Sequence, residues 1–172
     1  MEEMPMAIPF NADEIFEMAE QIERNGARFY RRAAEGTLDP GNRQLLLDLA
    51  GMEDEHEKTF ASMRAHLADG EKSETVFDPE GQAALYLRAM ADGYVFDIKA
   101  DPIKLFSGNE TMEDIFQKAI GMEKDSIVFY LGMKELVPKR LGKDKIDAII
   151  KEEMNHITAL STQLAALRHE LS

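Results

Sequence analysis

Cysteine is absent from the 172 residues. That removes structural disulfides, thiolate zinc sites, iron–sulfur clusters and a cysteine nucleophile together. Any metal here must be held by Glu, Asp and His. Positive charge is also scarce: 20 Lys and Arg stand against 33 Asp and Glu, a net charge of −13. With no basic patch to offset it, the chain would repel a phosphate backbone, so no nucleic-acid partner is expected. No apolar run reaches the roughly 18 residues of a membrane span. The opening MEEMPMAIPF has neither the basic region nor the long apolar run of a secretory signal. The expected location is cytoplasmic, with no membrane partner. Also missing are a Gly-rich phosphate loop, a His-Glu-x-x-His protease motif and a convincing Ser/His/Asp arrangement.

What the chain does have is helix. Its 44% hydrophobic and 31% charged content suits one soluble domain spanning residues 1–172. Four long segments carry apolar residues at helical spacing with recognisable ends. The first starts at the cap in NADE, where Asn11 and Glu14 form a capping-box pattern, and fades near Gly36. Pro40 opens a second that runs to about Gly70; a third starts near NETMED and stops before Pro138; the fourth spans roughly 143 to 170. Each is about 25 residues, or roughly 37 Å at 1.5 Å per residue, a length that suits a bundle. The crossover at 71–109 is too long for a hairpin loop. Within it, DPEGQAALYLRAM has Asp78 as a cap, Pro79 in the first turn and a stripe of Ala83, Leu87 and Met90, which predicts a short helix. DIKADPIKLFSGNET reads as an irregular return or another helical turn. The fold class expected is all-α: a ferritin-like four-helix bundle with one long crossover.

An internal repeat makes the pattern specific. Shifted by 100 residues, IFEMAEQIERNGARFY falls on IFQKAIGMEKDSIVFY, pairing Glu23 with Glu123 and Tyr30 with Tyr130. The same shift lays LAGMEDEHEKTF on IIKEEMNHITAL, pairing Glu53 with Glu153 and His56 with His156. Two related hairpins, about 11–70 and 110–171, are thus expected. Among the many acids only the Glu-x-x-His spacing is shared. Asp54, Glu55, Glu57 and Glu152 have no acidic counterpart at the shifted position and read as solvated surface. His66 and His169, also without counterparts, read as surface or helix-end histidines.

Helix position picks out the same six residues. Glu23 interrupts the seam of Phe16, Ala19, Gly26, Tyr30 and Ala33, and Glu123 sits between Ala119 and Tyr130. Glu53 and His56 share a face with Leu46, Leu49, Phe60, Met63 and Leu67. Glu153 and His156 share one with Ile146, Ile149, Leu160, Leu164 and Leu167. Four interior carboxylates without counter-charge would each cost several kcal/mol or take up protons. Two divalent cations would supply the charge, since four Glu give −4 and two neutral imidazoles add nothing. Oxygen-rich ligation with one imidazole per metal suits iron or manganese.

Glu23, Glu53, His56, Glu123, Glu153 and His156 resemble the di-iron carboxylate pattern of the ferritin-like superfamily: one Glu from each of two helices and Glu-x-x-His from each of the other two. The sequence is most similar to the rubrerythrin family, above all in EKDSIVFY and IIKEEMNHITAL. That resemblance implies two iron ions per chain, with manganese or a mixed pair as variants. Glu53 and Glu153 would bridge or flank the metals, His56 and His156 would bind one each, and Glu23 and Glu123 would complete the sites. Tyr30 and Tyr130, seven residues after Glu23 and Glu123, are placed to hydrogen-bond ligand carboxylates, or else simply to pack. The activity implied is reaction with hydrogen peroxide or O2. Rubrerythrins proper carry a four-cysteine rubredoxin domain; this chain has none, so an external electron donor such as a rubredoxin-like protein is implied. Such proteins also place a further Glu one turn after the third-helix ligand, where this chain has Ser126. Asp92 or Asp97 of the crossover could approach the site instead. Ferroxidase or iron handling is the nearest alternative, a bundle with a non-catalytic metal the next, and a homodimer is expected.

Overall fold

The computed structural model describes residues 12–67, 82–91, 100–137 and 139–170. Four long helices dominate: α1 (Ala12–Glu35), α2 (Pro40–Ala65), α4 (Met112–Leu136) and α5 (Lys143–Glu170), with a short α3 (Gln82–Ala91) in the crossover. Single 3-10 turns lie at Pro102–Leu105 and Lys139–Leu141. No described helix is long and apolar enough to cross a membrane.

Local chemistry sets the helix ends. At the first hairpin, Thr37 closes α1 by donating to the carbonyls of Ala33 (2.7 Å) and Ala34 (3.2 Å). Asp39 then caps α2 by accepting from the Asn42 N–H at 2.8 Å, with Pro40 in the first turn. Thr111 and Asp114 form a reciprocal capping box at the start of α4. Val137, the residue ahead of Pro138, is extended at φ −93° and ψ 119°, as proline requires of its predecessor. The second helix stops at Ala65, short of the expected Gly70, because His66 leaves helical geometry and turns its Nδ1 to the Ser62 carbonyl, 2.6 Å away. The expected caps Asn11 and Asp78 lie outside the described residues.

Partner spacing fixes the topology. α1 packs on α2 and α4 on α5. Arg64 of α2 reaches Asp13, near the start of α1, while Arg24 reaches Glu57, so these two helices are antiparallel. Lys134–Asp147 and Arg168–Glu113 make α4 and α5 antiparallel in the same way. Tyr30 bonds Glu123 and Tyr130 bonds Glu23, a constant index sum that makes α1 and α4 antiparallel too. It follows that α2 and α4, consecutive long helices, run parallel. Only a connection that returns along the bundle permits this. α3 lies on α4 at Gly132, where a Cβ would stand 2.5 Å from the Tyr86 ring, so glycine is needed for this approach. Tyr86 donates to the Val128 carbonyl at 2.8 Å, and Leu87 and Met90 of the expected stripe are buried.

The core divides into two apolar layers. One gathers Phe16, Phe60, Phe129, Met133 and Ile146; the other gathers Phe29, Leu46, Phe116, Leu160 and Leu164. Between them lies a layer of polar side chains.

Candidate metal centre

Each long helix carries its interior polar residues on the stripe that otherwise buries Leu, Ile and Phe. Glu23 comes from α1, Glu53 and His56 from α2, Glu123 from α4, and Glu153 and His156 from α5. All six are at most 3% exposed. They meet as two overlapping groups, Glu23, Glu53, His56 and Glu153, and Glu53, Glu123, Glu153 and His156. In each group one ligand atom per residue lies within 4.8 Å of all the others. Glu53 and Glu153 belong to both. The repeat and the helix stripes therefore converge on one place in space.

The imidazoles face inward through Nδ1. His56 Nδ1 is 2.8 Å from Glu153 Oε1 and 3.4 Å from Glu23 Oε2. His156 Nδ1 is 3.3 Å from both Glu53 Oε1 and Glu123 Oε1. The two rings lie nearly parallel with centroids 5.7 Å apart.

Whether these residues suit a cation can be read from their unmet valences. Among the described residues, the buried side-chain nitrogen and oxygen atoms without a hydrogen-bond partner are Glu23 Oε2, Glu53 Oε1, His56 Nδ1, Glu123 Oε2, both Glu153 oxygens and both His156 nitrogens. Every one belongs to the six. Buried polar atoms left unpaired cost about 1–3 kcal/mol each, so their concentration in one layer fits a set of side chains that could hold a cation. The charges agree. Burial, then the neighbouring Glu23 and Glu123, pushes the Glu53 carboxyl well above the ordinary range; burial, then Glu53 and Glu23, does the same to Glu153. For His56, burial opposes protonation, but the Glu153 and Glu23 carboxylates outweigh it and push the imidazole up to about 11. Burial alone would raise Glu123, yet its contacts with Glu153, His156 and Tyr30 leave it lowered. A layer that must borrow protons to stay folded is one that metal ions would satisfy.

Both tyrosines touch the site, each from the opposite hairpin. Tyr30 donates to Glu123 Oε1 and Tyr130 to Glu23 Oε1. Gly26 makes room for Glu53, since a Cβ there would stand 2.6 Å from Glu53 Oε2. A cavity of about 290 Å³ opens onto this side of the layer, bounded by Ile22, Gly26, Tyr30, Glu53, Glu123 and Ser126 among others.

The acids read as surface divide. Asp54 pairs with Arg31, Glu55 with Lys58 at 2.6 Å and Glu57 with Arg24 at 2.7 Å, all on the outside. His169 is exposed in the last turn of α5. Glu152 departs from the expectation: although its side chain is 49% exposed, Oε2 lies 2.5 Å from His56 Nε2. Half exposed on α5, it still turns one carboxylate oxygen to the His56 ring on α2. The repeat hides it, because its counterpart is Met52. Asp92 and Asp97 lie outside the described residues.

No protein-family model matches the sequence, and no curated protein matches it either. A solved structure from Thermotoga maritima, provisionally described as a ferritin-like diiron-carboxylate protein, aligns with a TM-score of 0.65 at 22% identity, over 92% of this chain and 97% of its own. The fold is ferritin-like. Interior ligand sets built from facing helices are how ferritin-like bundles accommodate metal pairs. In this chain a buried layer of Glu and His side chains lies between the facing helices.

Proposed function

We propose that this chain is a rubrerythrin-like non-haem di-iron protein that reacts with hydrogen peroxide or O2 and is re-reduced by a separate electron donor. Glu23 and His56 would hold one iron, Glu123 and His156 the other, with Glu53 and Glu153 shared between them. Iron, when bound, supplies the reversible electron transfer that no side chain of this protein can supply. The observation that carries the reading is the set of unpartnered buried nitrogen and oxygen side-chain atoms, confined among the described residues to these six.

The protein's own part is to hold and insulate. Tyr30 and Tyr130 fix one oxygen of Glu123 and Glu23, leaving the second oxygen of each without a hydrogen-bond partner. The two apolar layers exclude water from either end. The cavity beside Gly26 and Ser126 gives a small oxidant a way to the layer at Glu53 and Glu123. Ser126, with its hydroxyl committed to the Met122 carbonyl at 3.0 Å, offers no further carboxylate there. A peroxidase cycle in this chain would therefore run with the six ligands alone.

Metal content per chain after anaerobic purification, followed by the absorption change on adding hydrogen peroxide with and without a reductant, tests this. Two irons per chain and repeated turnover are expected. A single oxidation with no turnover in the presence of reductant would make the metal pair non-catalytic. Large assemblies carrying many irons per chain would point to ferroxidase and storage.

A further inference from the structure

The six interior residues obey the repeat, but their surroundings do not. His56 and His156 both turn Nδ1 to the centre, leaving Nε2 to face away. His56 Nε2 meets Glu152 Oε2 at 2.5 Å. His156 Nε2 is buried and finds no acceptor. The residue standing where the repeat would place a second acceptor is Met52, whose thioether is at best a weak one. The tyrosines do match: each serves the glutamate of the other hairpin. One difference between the two cation positions therefore lies on the outer face of an imidazole, where His56 has an acceptor and His156 has none.

We propose that Glu152 is a positioning residue that makes the two metal positions unequal, so that the Glu23 and His56 position fills first and holds its ion more tightly. By accepting the Nε2–H of His56, the carboxylate fixes the tautomer whose Nδ1 lone pair points into the layer, holds the ring in that orientation, and strengthens Nδ1 as a donor. Partners of this kind behind a ligating histidine are worth about 10–100-fold in metal affinity. His156 has no such partner, so its tautomer and ring angle are set only by packing and by the metal itself. The inference rests on the metal-binding reading above and adds an order of loading to it. A chain with one tight and one weaker position can hold two different divalent ions, or release one while keeping the other.

Zn(II), which is redox-inert, serves as the probe. The full metal-free chain is titrated by calorimetry, and histidine nitrogen resonances are followed at one equivalent. The first equivalent is expected to perturb His56 and not His156. Glu152→Ala should weaken the first step about 10–100-fold and spread the first equivalent over both histidines. Glu152→Gln, which keeps an acceptor oxygen, should restore most of the preference. Met52→Glu should strengthen the second step and narrow the gap. Glu152 is half exposed, so these variants are expected to fold. Two bound ions with no preference between the histidines, or a preference unchanged in Glu152→Ala, would overturn the proposal. Absence of binding in the parent chain would instead remove the metal-binding reading beneath it.

Discussion

Tyr30 on α1 donates its phenolic hydrogen bond to Glu123 on α4, across the interface between the two hairpins. Tyr130 returns the contact to Glu23. Each half of the repeat therefore holds a carboxylate of the other half in place, and the polar layer cannot be assembled from one hairpin alone.

Tyr30→Phe removes that donor and keeps the ring. Glu123 then loses its fixed rotamer, and metal affinity should fall about 10–100-fold. The metal-free protein should lose roughly 1–3 kcal/mol, because a buried carboxylate oxygen is left without its partner. Denaturant unfolding with and without metal separates the two effects.

Gly26→Ala acts on the site and not on the fold. The new Cβ would fall 2.6 Å from Glu53 Oε2, the free end of a flexible side chain, so Glu53 moves while α1 stays helical. Helix propensity should even contribute up to about 1 kcal/mol of stability. Unchanged or raised thermal stability of the metal-free chain, together with a reduced metal count per chain, is the expected pair of results.

Glu153→Gln should separate stability from function in the other direction. Glu153 is buried beside three further carboxylates, and burial followed by Glu53 and Glu23 raises its pKa. Replacing it with a neutral isostere relieves that repulsion. The metal-free variant should unfold at higher denaturant concentration than the parent, while metal binding should be largely lost.

The same groups set a pH dependence. Glu53 and Glu153 are raised above the ordinary carboxyl value of 4.5, and His56 is raised from 6.5 to about 11. In each case the folded metal-free protein holds a proton that the unfolded chain has released, so stability falls as pH rises. Glu123, lowered, runs the other way: the stability it contributes is present above 4.5 and is lost only as pH falls through its folded value. The metal-free protein should therefore be most stable in mild acid. From about pH 4.5 for the two carboxyls, joined by His56 from about pH 6.5, it should lose roughly 1.4 kcal/mol per pH unit for each proton retained. Bound metal replaces those protons and should flatten or reverse the slope. Thermal unfolding from pH 5 to about pH 9, with and without metal, reads both curves.

The four long helices were legible because their apolar spacing, prolines and caps all point the same way. Pro40 opens α2 as its sequence position suggests, with Asp39 ahead of it as the cap. The six interior polar residues were legible for a second reason: the 100-residue repeat pairs them with one another and leaves the neighbouring Asp54, Glu55 and Glu57 without acidic counterparts. That filter is also why Glu152 escaped it. A group that serves only one half has no counterpart, and its contact with His56 depends on the register between α2 and α5, which periodicity along one helix does not contain. The tyrosine pairing shows the same limit. Seven residues of spacing gave the right face for Tyr30, but the antiparallel partner decided which glutamate it would reach.

The most direct test is metal content per folded chain in the parent protein and in Glu53→Ala and Glu153→Ala, each purified anaerobically. Two metals in the parent, and a sharp loss in both variants with helical content retained, is the predicted result. Full occupancy in both variants, or a folded parent that binds no metal, would contradict it.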